Sequence, residues 1–166
     1  MQTDNHEWNS EPEVGEFLAS LIKMSRASHV LEVGYFKGRT SSMLINALPK
    51  PGLYHGIDLN EDAPEIKEPK GRIVEFIKGD SLVELPKLNS AFYDLIFVDS
   101  AHHWEHILPE FKLVEKLIAP HGIIAYHDSI HIDDVKRLMG YANQYRYQIV
   151  TLNTTEGRGL TLLQRL

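Results

Sequence analysis

The chain has 166 residues, 43% of them hydrophobic and none of them cysteine, so it can bury the core of one domain, and disulfide scaffolds, iron–sulfur clusters and thiol nucleophiles are excluded. Its net charge of −6 and its scattered basic residues disfavour nucleic acid as a partner and favour a small molecule. No apolar run is long enough to span a bilayer and the first residues do not resemble a signal peptide, so a cytoplasmic protein without membrane contact is expected.

The hydrophobic pattern predicts alternating helices and strands, beginning with an amphipathic helix over residues 13–26. Strands are then predicted at residues 30–33, 53–58, 72–77, 95–99 and 123–127, and helices at residues 40–48, 104–118 and 133–143. Between residues 60 and 71, Pro64 and Pro69 break the pattern, so only a short helix is predicted there. The last two strands are predicted at residues 146–151 and 159–163.

This order of elements predicts an α/β fold, because strands that alternate with helices form a parallel sheet covered by helices on both faces. The last two strands have no helix between them, so we expect an antiparallel C-terminal hairpin at the sheet edge. The complete prediction is a doubly wound, mostly parallel, seven-stranded sheet. Residues 11–166 form its single domain, and residues 1–10 are predicted to be a flexible arm.

The turn after the first predicted strand has the composition of a cofactor-binding turn. Gly34 and Gly38 allow close approaches that a Cβ atom would block, and the helix that begins near Thr40 directs amide groups at an anionic group. Asp58 ends the second strand about 20 residues later, where an acidic side chain can bind both ribose hydroxyls. Phe36 stands where dinucleotide-binding turns carry a second glycine, which disfavours a pyrophosphate-containing cofactor.

Polar side chains also follow the fourth and fifth predicted strands. Asp99 and His102 come after the fourth strand, and His127 and Asp128 end the fifth. The carboxyl ends of parallel strands meet on one rim, so the two aspartates are predicted neighbours that either bind a divalent cation or cap the next helices. His102 is a suitable general base because its pKa lies near neutrality. His106, one helical turn later, could share a face with His102 as a second metal ligand, but a solvated helix start is the favoured interpretation.

Ordered motifs along residues 14–163 resemble one known family. The segment Glu32-Val33-Gly34, followed by Gly38, resembles the first motif of class I S-adenosylmethionine-dependent methyltransferases, whose Rossmann-like fold agrees with the predicted sheet. More narrowly, the chain is similar to small-molecule O-methyltransferases of the catechol and caffeoyl-CoA type, and to the macrocin O-methyltransferase and cephalosporin hydroxylase group.

The resemblance implies a set of cofactor-binding residues. These are Glu32, Gly34, Gly38, Thr40, Asp58, Asp80 and Ser81. The residues up to Thr40 would surround the methionine part of the cofactor, Asp58 would bind the ribose, and the last two would lie beside the adenine. For Asp80, capping of a short helix that begins at Ser81 is an equally good interpretation.

The resemblance also implies a metal site. In the catechol-type enzymes an aspartate and an Asp–Asn pair bind the metal, and these positions fall on Asp99, Asp128 and Ser129. Serine is a poorer ligand than asparagine, so water or His127 is expected to complete the ligand shell, and imidazole would admit manganese, iron or zinc beside magnesium. His102 falls at the position of the family's proton-accepting lysine. Asp99 and His102 are therefore the expected catalytic residues.

The resulting prediction is an S-adenosylmethionine-dependent enzyme that methylates a small-molecule hydroxyl with the help of a divalent cation. Two alternatives stay open: a metal-dependent relative of the hydroxylases, and a scaffold domain that binds S-adenosylmethionine without catalysis. The segment before the first strand is short for a substrate lid. A homodimer in which a second subunit supplies the lid is therefore a further prediction.

Overall fold

The strands of the chain form a single sheet in the computed structural model, which describes residues 10–60, 64–66, 70–142 and 147–166. The strands are β1 His29–Val33, β2 Gly52–Asp58, β3 Arg72–Lys78, β4 Tyr93–Val98, β5 Ile118–His127, β6 Tyr147–Leu152 and β7 Leu160–Arg165. The helices are α1 Pro12–Ser25, α2 Arg39–Ala47, α3 Ser81–Glu84, α4 Trp104–Leu117 and α5 Asp133–Ala142, and the 3-10 turn Leu85–Lys87 follows α3.

The strand order across the sheet is β3-β2-β1-β4-β5-β7-β6. The strands from β3 to β5 are parallel, whereas β7 runs antiparallel between β5 and β6. The predicted fold class is confirmed, including the antiparallel hairpin at the edge. The chain moves outward from β1 in one direction to β3 and in the other to β5. Open α/β sheets bind ligands in the crevice at such a switch point, which here lies above the carboxyl ends of β1 and β4.

Helices cover both faces of the sheet because successive strand residues point to opposite sides. In β1, Val30 belongs to the core cluster that contains α1 and α2, whereas Leu31 belongs to the cluster that contains α4 and α5. In β4, Leu95 and Ile96 divide in the same way. Burial on both faces explains why these strands appear in the sequence as continuous apolar runs.

The strand β5 begins earlier than predicted, at Ile118 rather than at residue 123. Ile118 pairs with Tyr93 of β4, and the register of the two strands shifts beyond this pair. The irregular segment Pro120-His121-Gly122 follows, with His121 at a φ of +64°. This segment has the composition of a turn, so the sequence pattern places the strand after it rather than through it.

Some predictions fall outside the described residues. Residues 1–9 of the predicted arm lie outside them, as do residue 143, where α5 was predicted to end, and residue 146, where β6 was predicted to begin. A short helix was predicted between residues 60 and 71, but the residues of this segment that the structure describes are not helical. None of the helices in the described part of the chain combines the length and the apolar character needed to cross a bilayer.

Candidate active site

A cleft of about 230 Å³ opens above the carboxyl ends of the parallel strands, at the switch point of the sheet. Four of the predicted cofactor residues line it, namely Gly34, Asp58, Asp80 and Ser81. Glu32 and Thr40 line a smaller adjoining pocket of about 50 Å³, which shares Gly34, Phe36, Asp58 and Asp99 with the cleft. Gly38 is the residue before the first turn of α2. The structure therefore brings the predicted cofactor residues to one end of the sheet.

The turn between β1 and α2 is held by backbone contacts that require glycine. Gly34 has a φ of +88°, and a Cβ atom at this position would overlap the backbone carbonyl oxygen of Asp99. The turn is also fixed to β2, because the Phe36 amide donates to Asp58 Oδ2 at 2.7 Å. The Asn60 amide donates to the other Asp58 oxygen at 2.8 Å. Asp58 thus orders the turn from within the cleft.

Glu32 lies beneath this turn with only 1% of its surface exposed. Its Oε2 atom accepts hydrogen bonds from the hydroxyl groups of Ser41, at 2.6 Å, and Tyr54. Burial raises the pKa of Glu32 to about 7, although the two hydroxyl donors oppose this shift. Nearby, the hydroxyl groups of Thr40 and Ser10 are hydrogen-bonded at 2.8 Å. The floor of the small pocket is therefore polar and internally bonded.

The opposite wall of the cleft contains a buried acidic residue that sequence reasoning missed. Glu110 of α4 is fully buried and accepts hydrogen bonds from Ser81 Oγ at 2.5 Å and Ser100 Oγ at 2.7 Å. It thereby joins the start of α3 to the loop after β4. Its position beside Phe111 on the apolar face of α4 was the signal that could have identified it.

His106 also belongs to this wall, so the expectation of a solvated His106 is wrong. Its side chain is only 18% exposed, and its Nε2 atom lies 2.9 Å from Ser81 Oγ and 3.4 Å from Glu110 Oε1. The hydrogen bond to Glu110 raises the pKa of His106, while burial opposes the shift. For Asp80, the capping interpretation is confirmed, because its Oδ1 atom accepts from the Leu82 amide at 2.8 Å while the residue also lines the cleft.

Asp99, His102 and Asp128 come together at the rim, as the strand-end pattern predicts. One potential ligand atom of each lies within 4.8 Å of the others. His102 Nε2 is 3.2 Å from Asp128 Oδ2 and 3.8 Å from Asp99 Oδ1, yet this nitrogen is buried without a hydrogen-bond partner among the described residues. Burial raises the pKa of Asp99, but the neighbouring imidazoles of His102 and His127 outweigh it and hold this pKa well below its usual range.

His127 lies behind these carboxylates and faces an acidic group on each side. Its Nδ1 atom donates to Asp99 Oδ1 at 3.2 Å, and its Nε2 atom donates to Glu11 Oε2 at 2.6 Å. Burial lowers the pKa of His127, but the carboxylates of Asp128 and Asp99 outweigh it and raise the pKa to about 10. A protonated imidazole has no lone pair to offer a cation. In this arrangement both ring nitrogens of His127 face carboxylates, and its part in a metal shell stays a prediction.

The two remaining neighbours of the cluster change its chemistry. Arg158, from the turn between β6 and β7, binds Asp128 with two nitrogens, Nε to Oδ1 at 2.7 Å and Nη2 to Oδ2 at 3.1 Å. Ser129 is buried and its hydroxyl accepts from Thr161 Oγ1 at 2.8 Å, so the two residues at the family's Asp–Asn position are both engaged by protein groups. Sequence reasoning missed Arg158 and Glu11 because both reach the cluster from distant parts of the chain.

Comparison with known proteins identifies the family of this chain. A family model described as "Methyltransferase domain" matches residues 31–129, which run from the middle of β1 through β5 and include the polar cluster as far as Ser129. The chain belongs to this methyltransferase family. The family model and the curated relatives confirm the predicted resemblance to small-molecule O-methyltransferases, and the solved structures confirm the class I fold.

Among the relatives of this methyltransferase is caffeoyl-CoA O-methyltransferase 2 of Petunia hybrida, which is 28% identical over 99% of this chain and 80% of its own length. Caffeoyl-CoA O-methyltransferase 3 of Nicotiana tabacum is 27% identical with the same coverage. The O-methyltransferase TomG from Streptomyces achromogenes, solved in complex with SAM, shares the fold with a TM-score of 0.79 at 21% identity, over 96% of this chain and 82% of its own. An O-methyltransferase from Bacillus cereus, solved with SAH, gives a TM-score of 0.79 at 17% identity, over 96% and 84%.

Proposed function

We propose that this methyltransferase transfers the methyl group of S-adenosylmethionine to a hydroxyl oxygen of a small molecule. The observation that carries the proposal is the position of Asp99. Asp99 lines the cofactor cleft, and its carboxylate faces His102 and His127. The cleft and the cluster of acid–base groups therefore meet at this side chain. A hydroxyl bound at this point would lie beside both the cofactor and a base.

The cofactor contacts proposed from the family resemblance agree with the shape of the cleft. The residues around the β1–α2 turn, Glu32, Gly34, Gly38 and Thr40, would surround the methionine part, and Asp58 would bind the ribose hydroxyls. Asp80 and Ser81 would contact the adenine at the far end. When bound, S-adenosylmethionine supplies the electrophilic methyl group, and the protein contributes mainly orientation and charge.

His102 is the proposed general base. Its Nε2 atom is within 4 Å of a carboxylate oxygen of both Asp99 and Asp128 and lacks a hydrogen-bond partner among the described residues. Nε2 would accept the proton of the substrate hydroxyl, and the two carboxylates would stabilise the resulting imidazolium. This assigns Asp99 and His102 the catalytic roles expected from the sequence.

A divalent cation is the second part of the proposal. Asp99, His102 and Asp128 would hold it, and the buried, unpartnered Nε2 atom together with two carboxylates forms a donor set suited to such an ion. Imidazole in this set favours manganese, iron or zinc over magnesium. When bound, the cation supplies a positive charge that lowers the pKa of a hydroxyl. When the cation is bound, His102 would be one of its ligands, and His102 would act as the general base only in the cation-free site.

Calorimetry with S-adenosylhomocysteine, followed by methyl-transfer assays on caffeoyl-CoA and a panel of catechols, tests the proposal. Caffeoyl-CoA is the first substrate to test because the relatives are caffeoyl-CoA O-methyltransferases. His102→Asn should keep the affinity for S-adenosylhomocysteine and lower turnover about a hundredfold. The exposed His121→Asn, at the opposite end of β5, is the matched control and should leave both unchanged. Absence of binding at millimolar ligand would overturn the cofactor assignment, and binding without turnover would support a scaffold domain.

A further inference from the structure

The carboxylate of Asp128 is already neutralised by the protein. Asp128 is 2% exposed, and each of its oxygens accepts a hydrogen bond from a different nitrogen of the Arg158 guanidinium, at 2.7 and 3.1 Å. Such a bidentate pair has near-optimal geometry for a guanidinium and a carboxylate. One of the three potential ligands of a divalent cation is therefore engaged by a buried positive charge.

His127 faces the same oxygens, with Nδ1 at 3.2 Å from Asp99 Oδ1 and at 3.5 Å from Asp128 Oδ2. Protein groups therefore already contact both carboxylates. A divalent cation bound to Asp128 would also lie close to the Arg158 guanidinium and be repelled by it. The donor atoms suit a cation, but the buried positive charge of Arg158 already balances one of the negative charges.

The turn that carries Arg158 is fixed to two other parts of the fold. The Arg158 carbonyl oxygen accepts from the amides of Ile130 and His131 at 3.0 and 3.1 Å. At the other end of the same turn, Thr154 donates to Glu11 Oε1 at 2.5 Å and accepts from the Gly159 amide at 2.9 Å. Arg158 is thus presented to Asp128 by an ordered turn, unlike a long surface side chain that makes an occasional ion pair.

We propose that Arg158 is the resident cation of this site, and that a divalent cation reaches Asp128 only by displacing its guanidinium. The inference rests on the proposed function, since it decides which of the two roles His102 has. With Arg158 in place, Asp128 is oriented towards His102, which then acts as the base. Arg158 is therefore a positioning residue that acts through Asp128.

Binding of Mn²⁺ to the full chain, followed by electron paramagnetic resonance and calorimetry, tests this inference without any assay of activity. Arg158→Gln should raise the affinity for Mn²⁺ about tenfold or more, because it removes a positive charge beside the ligands. Arg158→Lys, which keeps the charge but not the bidentate geometry, should give a smaller increase. The double variant Arg158→Gln, Asp128→Asn should lose the gain, and the exposed Arg165→Gln is the control that should behave as wild type.

An unchanged or weaker Mn²⁺ affinity in Arg158→Gln, with circular dichroism showing a folded protein, would overturn the inference. If Arg158→Gln does not fold, Arg158→Lys is compared with wild type instead. Equal Mn²⁺ affinities of these two proteins would also overturn the inference. Binding of S-adenosylhomocysteine is measured on the same samples. Its absence would overturn the proposed function, whereas its presence alongside a failed Mn²⁺ result would overturn only the role of Arg158.

Discussion

Glu11 Oε2 lies 2.6 Å from His127 Nε2, although 116 positions separate the two residues in the chain. Glu11 immediately precedes α1, and His127 is the last residue of β5. Both side chains are almost completely buried, and His127 in turn donates to Asp99. The start of the first helix therefore belongs to the polar cluster and is not simply a cover for the sheet.

Removal of Glu11 should leave the His127 imidazolium without one of its partners. Glu11→Ala is expected to lower the free energy of unfolding by about 3 kcal/mol, the usual cost of breaking a buried ion pair from one side. Urea denaturation at neutral pH measures this loss. Glu13→Ala is the matched control, because Glu13 contacts Thr155 of the same turn from an exposed position. Equal losses in the two variants would contradict a special role for Glu11.

Gly34 should tolerate no side chain. Gly34→Ala combines a left-handed φ with a Cβ atom that overlaps the Asp99 carbonyl oxygen, so we expect a loss of about 3 kcal/mol or more and no measurable binding of S-adenosylhomocysteine. Gly157→Ala is the control, since Gly157 has a similar φ of +75° but open space around its Cβ position. Gly157→Ala should lower the free energy of unfolding by only about 1 to 2 kcal/mol, because a residue with a Cβ atom is unfavourable in the left-handed conformation. Binding by Gly34→Ala at wild-type affinity would show that the turn can move.

The general form of the site was predictable because it depends on local rules. Buried strands appear as apolar runs, and residues at the carboxyl ends of parallel strands meet on one rim, which is enough to place Asp99 beside Asp128. Glycine spacing likewise identified the turn at Gly34. These rules need only the order of the elements, and the strands follow one another along the chain as predicted.

The partners of those residues were not predictable in the same way. Glu11 and Arg158 contact the cluster from α1 and from the β6–β7 turn, and no spacing rule relates such distant positions. The consequence for His127 was therefore also missed. A lone histidine at a strand end suggests a ligand, whereas the structure places a carboxylate beside each ring nitrogen of His127.

Glu32 should make stability depend on pH between its ordinary pKa of 4.5 and its raised value of about 7. In this window the folded chain holds a proton at Glu32 that the unfolded chain has lost, so the contribution of Glu32 to stability falls as pH rises. Glu32→Gln, which can still accept from Ser41 and Tyr54, should remove this slope and be more stable than wild type at pH 8. Unfolding by urea at several pH values measures the effect.

The hydrogen bonds of Glu32 can be separated from its charge with a second variant. Ser41→Ala removes one donor to Glu32 Oε2 and keeps the carboxylate, so it should lower stability more at pH 8 than at pH 5. A Glu32→Gln variant with the same pH slope as wild type would show that another group is responsible.

Glu110 should set the protonation of His106 and, through it, the order of the cleft wall. The carboxylate raises the pKa of His106, so this contact stabilises the fold at low pH and its contribution is lost as pH rises through that pKa. Glu110→Gln keeps hydrogen-bond acceptance at one atom but removes the charge, and should lower the pKa of His106 and weaken binding of S-adenosylhomocysteine, because Ser81 and Ser100 lose a shared partner. The chemical shift of the His106 ring protons against pH measures the first effect, and calorimetry measures the second.

Glu105→Gln, at an exposed position of the same helix, is the control and should change neither the pKa of His106 nor the binding of S-adenosylhomocysteine. A His106 titration unaffected by Glu110→Gln would mean that another group, such as the neighbouring Asp80, holds the proton in place.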